Sequence, residues 1–446
     1  MNRTCKWKIL AAMAALLTLA VCGPARRAAA QDQQPGAKTD DYTPAEYNTY
    51  RGCEKEKTSQ LRIKCLDNFV QQYPNSTLLR FAYADYYNAY AEVKNYSKVI
   101  EYTDKLLAFG VKIEIGDQYL ALYARTFAYN NLNSSDKGQS VKAIEAVRKG
   151  LKVLGELKKP DNVDGKTWDE QRKQVAIFFN GAGGAAALAG KDYPSAIEFS
   201  KAVLTLSSDE PKATYHLGLA YLELNPPQYM DAFWAIARAL TSKSMAAEDS
   251  KPVKRYLRKK LADYQSPACD NLIDPQLNEL LALAAGSPTR PDTYKIPSAA
   301  DLVAARNGMT IVSVLTDLKA GGDKAKITWL AACGALEFPE TPGKVIEVTP
   351  TDTGADLKLF LGATDDEINA ATTANMEVKV EGQPNVKRIE KDNLIHFTGT
   401  LASYDPDPFL VHWGEVKVNP ADIPAEKKQP AKKPPVHHRA PSKRPS

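Results

Sequence analysis

The segment 175–191, VAIFFNGAGGAAALAGK, has residue types and spacing with which a nucleotide phosphate could be bound. A hydrophobic run leads into Gly181, Gly183 and Ala186, which fit the dinucleotide pattern G-x-G-x-x-G/A, and a Gly-Lys pair follows. In such sites, glycines let the backbone approach a phosphate, and a helix N-terminus stabilises its charge. If the motif were real, the protein would be an enzyme.

The surrounding residues argue against a nucleotide site. A dinucleotide loop must lead into an unbroken helix of about 12 residues, but Gly190 and Pro194 interrupt this one. A phosphate loop needs four residues between its glycines and a hydroxyl residue after its lysine. Here five residues separate Gly184 from Gly190, and an acidic residue, Asp192, follows Lys191. We therefore expect these glycines to lie at a helix-helix contact.

Other catalytic or metal-binding patterns are missing as well. The sequence contains no G-x-S-x-G, H-E-x-x-H or calcium-loop motif. We expect His216 to be a satisfied surface or core residue, and we expect His396 and His412, on neighbouring predicted strands, not to share a metal. Asp405 and Asp407 flank prolines and are typical of turns. We predict a protein that is not an enzyme and has neither metal nor cofactor.

Four of the six cysteines lie beyond residues 1–30, namely Cys53, Cys65, Cys269 and Cys333. In an oxidising compartment they could form disulfides, and four cysteines allow three pairings. We favour Cys53 with Cys65, because both fall on adjacent antiparallel helices of the predicted fold, which leaves Cys269 with Cys333. Buried free thiols remain the alternative.

Residues 1–30 have the features of a secretory signal peptide. Basic residues precede an apolar run from Ile9 to Val21, and Ala28–Ala30 offers a cleavage site, so residues 31–41 would form a flexible N-terminal segment. We predict an exported protein, periplasmic or extracellular, and a lipid anchor on Cys22 is the alternative. No later apolar run reaches 18 residues, so no transmembrane segment is expected in the mature chain.

Charge is distributed unevenly along the chain. The sequence has 58 Lys and Arg against 53 Asp and Glu, but five basic residues lie in 1–30 and seven in 427–446, so residues 31–426 carry a net charge of −7. An acidic body argues against nucleic-acid binding by the folded part, because phosphate contacts need clustered cations. Residues 424–446 are rich in Pro, Lys and His, which predicts a disordered basic tail that could attach to an anionic envelope surface.

Two segments in the middle of the chain align with each other. Gly184 and Gly218 are 34 residues apart, and Ala196 and Ala232 are 36 apart because residues 225–228 lengthen the intervening turn by two. A fixed period of this length indicates a repeat architecture. The stretch 184–196 is therefore half of a repeat unit.

The residues Leu217–Tyr221, followed by Tyr229 and Ala232, resemble the tetratricopeptide repeat, a helix-turn-helix unit of 34 residues. The resemblance implies a mainly α protein with a right-handed solenoid of helical hairpins. We predict about five helical pairs and a capping helix within residues 42–265.

The resemblance also implies where a partner would bind. In this family the first helix of each pair lines the inner face of the array. The matching positions are Phe81, Asn88, Glu92, Phe178, Lys212, Tyr215, Leu219 and Glu223. Only Lys212 offers a cation, so the family's basic clamp for carboxylates is not expected, and we predict an extended peptide or partner helix in a tyrosine-rich groove. Packing alone remains the alternative for the aromatic positions.

Residues 266–336 are predicted to form a linker with additional helices. After them the sequence pattern changes from helical to β-rich. Residues 337–423 contain short β-rich runs separated by turns. The predicted strands are 343–349, 356–361, 376–380, 394–401 and 409–418. They predict a small all-β domain that resembles an oligonucleotide/oligosaccharide-binding (OB) barrel.

We therefore predict an exported scaffold that binds a protein or peptide in the groove of its repeat array. The alternative is a module that binds nucleic acid or anionic glycan through the β domain and the basic tail. In that alternative, the stacking surfaces would be Phe397, Tyr404, Phe409 and Trp413.

Overall fold

A computed structural model describes residues 42–132, 136–266, 272–333 and 336–426 of the 446-residue chain. The predicted signal peptide, the segment 31–41, Cys269 and nearly all of the basic tail lie outside these ranges. The chain forms two compact units. One reaches Leu257 and includes Glu279–Tyr294, and the other contains Arg258–Asn278 and the residues from Lys295 onward.

The described part of the first unit contains five successive antiparallel helical pairs. Their bounds are α1 Pro44–Glu54 and α2 Ser59–Gln72; α3 Leu79–Glu92 and α4 Tyr96–Leu107; α5 Ile115–Leu132 and α6 Lys137–Glu156; α7 Gly165–Ala189 and α8 Tyr193–Leu206; α9 Pro211–Leu222 and α10 Tyr229–Thr241. The prediction of a helical-hairpin repeat array is confirmed.

Local sequence signals set the ends of these helices. The Thr43 hydroxyl accepts from Glu46 N and the Glu46 carboxylate accepts from Thr43 N, a capping box that begins α1. Asp192 caps α8 by accepting from Ser195 N at 3.2 Å. Each cap satisfies backbone amides that the first helical turn leaves without a partner.

A disulfide joins the first pair, because Cys53 of α1 is bonded to Cys65 of α2 with their Cα atoms 5.3 Å apart. This confirms the predicted pairing for these two residues. Cys333 is also disulfide-bonded. Next to the first pair, the rings of Tyr86 and Tyr102 stack with centroids 4.0 Å apart, so aromatic packing continues into the second pair.

Within the described ranges, five further helices precede the β domain. They are α11 Ala247–Gln265, α12 Ile273–Gly286, α13 Ala299–Arg306, α14 Ile311–Ala320 and α15 Gly322–Ala332. No helix in the described ranges is both long enough and apolar enough to cross a membrane. The apolar residues Val314, Leu318 and Trp329 of α14 and α15 belong to the same buried cluster as the β domain.

The second unit contains a closed five-stranded barrel with the strand order β1-β2-β3-β5-β4. The strands are β1 Glu337–Pro350, β2 Ala355–Phe360, β3 Met376–Val380, β4 Leu394–Pro406 and β5 Phe409–Val418, and the short helix α16 Asp365–Ala370 lies between β2 and β3. All neighbouring strands are antiparallel except β3 and β5, which are parallel. A closed five-stranded barrel is the architecture that the OB resemblance implies.

Two strands are longer than the sequence predicts. β1 begins at Glu337 instead of residue 343, because a register shift between Phe338 and Thr341 lets Pro339 and Pro342 belong to the strand. β4 continues to Pro406, so the turn before β5 is only two residues long. The prolines that obscure the strand pattern are accommodated at irregular positions and at a strand end.

Candidate functional site

The glycine-rich segment lies within one uninterrupted helix, since α7 runs from Gly165 to Ala189. A Cβ atom placed on Gly183 would lie 3.0 Å from three ring atoms of Phe199 in α8. One on Gly184 would lie 3.4 Å from Ser200 Oγ. These glycines therefore allow two helices to approach each other, and the helical geometry leaves no phosphate-binding loop.

A cavity of about 200 Å³ opens beside the same helix. It is enclosed by the end of α5, the middle of α7, the second half of α8 and the first half of α9. Its lining consists of Asn130, Ile177, Phe178, Asn180, Gly181, Ala182, Gly184, Ser200, Val203, Glu210, Lys212, Ala213 and His216. We name it the α7–α9 cavity.

The repeat register indicates why there is space at this point. Ser200 of α8 corresponds to Ile236 of α10, 36 residues later, as Ala196 corresponds to Ala232. A Cβ atom on Gly218 would lie 2.5 Å from Ile236 Cγ1, so isoleucine fills the contact between α9 and α10. At the equivalent contact, Ser200 is smaller and polar, and it leaves room beside Gly184.

The cavity contains buried polar groups that have unused hydrogen-bonding capacity. The Ser200 side chain is 2% exposed, and among the described residues its hydroxyl has no hydrogen-bond partner. Asn180 is 7% exposed; its amide donates to Ala176 O at 2.8 Å, and its carbonyl oxygen accepts from none of the described groups. Neither oxygen is among the buried polar atoms of the described residues that lack a partner, so both reach the open space of the cavity, where a ligand could bond to them.

His216 adds an imidazole to the lining of the cavity. It is half-buried, and within the described parts of the chain neither ring nitrogen makes a hydrogen bond. Burial, with a smaller contribution from the positive charge of Lys212, lowers the pKa of His216 to about 4. The ring is therefore neutral at pH 7 and offers one donor and one acceptor. Neither ring nitrogen is among the buried polar atoms without a partner in the described residues, so the expectation of a satisfied surface or core histidine stays a prediction.

The charges of the lining balance at neutral pH. Lys212 contributes a cation, Glu210 a carboxylate, and His216 no charge. Lys212 is exposed at the margin of the cavity, so its ammonium remains in contact with solvent. This cavity has no excess of positive charge with which to hold an anion.

The structure brings together two of the eight predicted groove residues, Phe178 and Lys212, in this cavity. On α9, Tyr215 meets Tyr256 edge-on with ring centroids 6.5 Å apart. Tyr215, Leu219 and Glu223 are not among the residues that line the cavity.

The three predicted positions on α3 lie away from the cavity. Phe81 is half-buried, packs near Tyr50 at 6.5 Å and belongs to the margin of the N-terminal core. Glu92 accepts a hydrogen bond from the Ser59 hydroxyl, and Asn88 is exposed. Packing therefore accounts for Phe81.

Several lining residues are not among the groove residues predicted from the sequence. They are Asn130, Asn180, Ser200, Glu210 and His216. The available signal was a polar residue on the buried side of an apolar helix, as with Asn180 directly after Phe178 and Phe179. Helical periodicity alone marks such a position as core and does not show that it is next to open space.

Two of the four predicted stacking residues lie inside the barrel. Phe397 and Trp413 are 1% and 4% exposed and meet edge-on with centroids 4.9 Å apart in the barrel core. Tyr404 packs on Trp329 at 5.0 Å, and Phe409 is half-buried against the same core. The interpretation as stacking surfaces is therefore wrong for Phe397 and Trp413, whose rings lie in the core, whereas Tyr404 and Phe409 are partly exposed and stay predictions.

The barrel histidines are paired with carboxylates. His412 Nδ1 lies 2.7 Å from Glu377 Oε2, and its Nε2 lies 2.9 Å from Asp405 Oδ2. Asp405 lies in β4, where it is paired with Leu410 of β5. This corrects the prediction that Asp405 only forms a turn. His396 Nδ1 lies 3.0 Å from Asp422 Oδ2. No group of three or more potential metal ligands occurs in the described ranges.

No protein-family model and no curated protein matches the sequence. The chain is similar to a thermophilic TPR protein from Thermus thermophilus, with 15% identity and a TM-score of 0.25 over 48% of this chain and 98% of that one. A similarity of this size says nothing about the cavity or its ligand.

Proposed function

We propose that this protein is a non-enzymatic scaffold whose helical repeats hold a side chain of a protein partner in the α7–α9 cavity. The observation that carries the proposal is a group of polar side chains around open space between repeat helices, the buried Ser200 and Asn180 and the half-buried His216. Two predicted groove residues, Phe178 and Lys212, line the same space.

The size of the cavity supports a side chain as its occupant. Pockets for drug-sized molecules and cofactors measure roughly 300–1,000 Å³, whereas this one measures about 200 Å³. Protein interfaces often depend on a few side chains that fill desolvated pockets. A cavity of this size suits one such anchor residue.

The geometry of the lining supports a binding role over catalysis. Ser200 and His216 line the same cavity, but no hydrogen bond joins the hydroxyl to the imidazole. A nucleophilic serine needs a base within hydrogen-bond reach and a third group that orients the base. Neither contact is present among the described residues.

Export to an oxidising compartment is part of the proposal. The basic start, apolar run and Ala28–Ala30 of the N-terminal sequence support it. The Cys53–Cys65 disulfide supports it as well, because such bonds persist mainly outside the reducing cytosol. The seven basic residues of 427–446 would attach the protein to an anionic envelope surface.

Filling the cavity tests the binding function. The full chain is used to select peptides from a random library, and the affinities of the enriched peptides are measured by calorimetry. Ser200→Ile places the residue of the equivalent position 236 into the cavity and is expected to lower affinity at least ten-fold. Thr205→Ile, at an exposed position of the same helix, is the matched control and should leave the affinity unchanged.

A second variant closes the cavity from the opposite wall. A Cβ atom on Gly181 would meet nothing within 4 Å, so Gly181→Leu directs a side chain into open space beside α7. It should reduce peptide affinity as Ser200→Ile does. If selected peptides bind both variants as tightly as the unchanged protein, the proposed site is wrong.

A further inference from the structure

We propose that the residue held in the α7–α9 cavity is a tyrosine of the partner, with its ring against the apolar wall and its hydroxyl among Ser200, Asn180 and His216. This inference rests on the proposed function and names the chemistry of its ligand. Three properties of the lining lead to it, namely its charge, its apolar wall and its unused hydrogen-bonding groups.

The balance of charge favours a neutral ligand. Glu210 and Lys212 contribute opposite charges, and His216 is neutral at pH 7. A carboxylate or an ammonium entering this space would lose hydration without meeting an excess of opposite charge. Acidic and basic side chains are therefore poor occupants.

The apolar wall favours a ring. Ile177, Phe178 and Val203 supply apolar side chains from α7 and α8, and Ala182 and Ala213 keep the space between them open. Phe178 lies with its ring centroid 4.5 Å from that of Tyr123, which holds one side of the wall in place. An aromatic ligand ring buries a large apolar area on such a wall.

The unused polar groups favour a hydroxyl on that ring. Ser200 offers a hydroxyl, Asn180 a carbonyl oxygen, and His216 one donor and one acceptor. A phenol both donates and accepts, so it can satisfy two of these groups at once. A phenylalanine ring would cover the same groups and leave them without partners.

Small probes test the ligand chemistry without knowledge of the partner. The probes are 4-methylphenol, toluene and 4-methylbenzoate, added to the full chain and followed through the NMR resonances of the His216 ring. We expect 4-methylphenol to shift these resonances and to bind at least ten-fold tighter than toluene or 4-methylbenzoate. Equal binding of toluene, or tightest binding of 4-methylbenzoate, would overturn the inference.

Two variants assign the binding to the cavity and to its polar groups. Ser200→Ile should abolish the effect of 4-methylphenol, and Gly181→Leu should do the same if the serine variant fails to fold. Ser200→Ala removes only the hydroxyl and should reduce the preference for 4-methylphenol over toluene. Binding of 4-methylphenol that survives both cavity-filling variants would place it elsewhere and refute the inference.

The inference and the proposed function can fail separately. Peptides that depend on the open cavity but bind equally well after their tyrosines are replaced by phenylalanine would support the function and overturn the inference. Phenol binding in the cavity, with no peptide whose affinity depends on it, would support the chemistry and overturn the scaffold function.

Discussion

Gly218 of α9 faces Ile236 of α10 so closely that a Cβ atom on Gly218 would lie 2.5 Å from Ile236 Cγ1. One repeat earlier, a Cβ atom on Gly184 would lie 3.4 Å from Ser200 Oγ. The two glycines are equivalent in sequence, and so are the residues they face. The contact is therefore tightly packed between α9 and α10 and open between α7 and α8.

Alanine at these two glycines should have opposite effects. Gly218→Ala must displace Ile236 and also approaches Ala232 O at 3.0 Å, so it should destabilise the array by about 1–3 kcal/mol. Gly184→Ala meets only ordinary contact distances and should stabilise α7 by about 0.5–1 kcal/mol. Urea denaturation of the full chain compares them, and equal effects would contradict the difference in packing.

The register of the repeats can be predicted from sequence, because a glycine that allows close helix packing recurs at a fixed distance. How closely the two helices pack at each of these glycines cannot be predicted in the same way. In the α7–α8 pair the helices are closest at Gly183, where a Cβ atom would lie 3.0 Å from ring atoms of Phe199. The equivalent position in the next repeat, 217, is a leucine, so the sequence repeat does not mark Gly183. Which glycine is essential depends on the side chain opposite, which lies on another helix.

Loss of the Cys53–Cys65 disulfide should loosen the first helical pair. The bond closes a loop with a sequence separation of 12 residues, and a loop of this size contributes about 3 kcal/mol in the chain-entropy account. The variant with both cysteines changed to alanine leaves the Cys333 disulfide intact, which chemical reduction would not. Hydrogen exchange should become faster in α1 and α2 and stay unchanged in the barrel; unchanged exchange in α1 would contradict this role.

The stability of the barrel should fall as pH rises above neutrality. Burial acts to lower the pKa of His412, but hydrogen bonds and charge interactions with Asp405 and Glu377 outweigh it, and the pKa is raised above its ordinary value. A raised folded-state pKa gives a stabilisation that is complete below about pH 6.5 and is lost as pH rises through the folded pKa.

Barrel unfolding followed by Trp413 fluorescence between pH 6 and pH 9 measures this loss. His412→Gln cannot titrate, so it should be less stable by about 1 kcal/mol at pH 6 and should approach the unchanged protein at pH 9. A constant difference across this range would mean that the charge of His412 does not matter.

Sequence alternation identifies the five strands of the barrel but not the groups that connect them. His412 and Glu377 are 35 residues apart and meet because β3 and β5 are parallel neighbours in the closed order. The α7–α9 cavity is hidden from sequence for a similar reason. Its polar residues come from separate helices, and Ser200 is informative only beside Ile236 of the next repeat.

His216 should give the array the opposite dependence on pH. Its folded-state pKa of about 4 lies below its ordinary value of 6.5, so the unfolded chain binds a proton that the folded one excludes. The stability contributed by the neutral ring is therefore present above pH 6.5 and is lost as pH falls towards 4. Between pH 7 and pH 5 the loss should be about 2 kcal/mol.

His216→Gln isolates this effect from the titration of the carboxylates. The stability difference between the variant and the unchanged protein should shift in favour of the variant as pH falls from 7 to 5, and NMR should show that the His216 ring titrates near pH 4. A ring that titrates near 6.5 would mean that water reaches it freely, and it would remove the neutral imidazole from the hydrogen-bonding groups of the cavity. Because 4-methylphenol is expected to bind this neutral ring, its addition should lower the apparent pKa of His216 further.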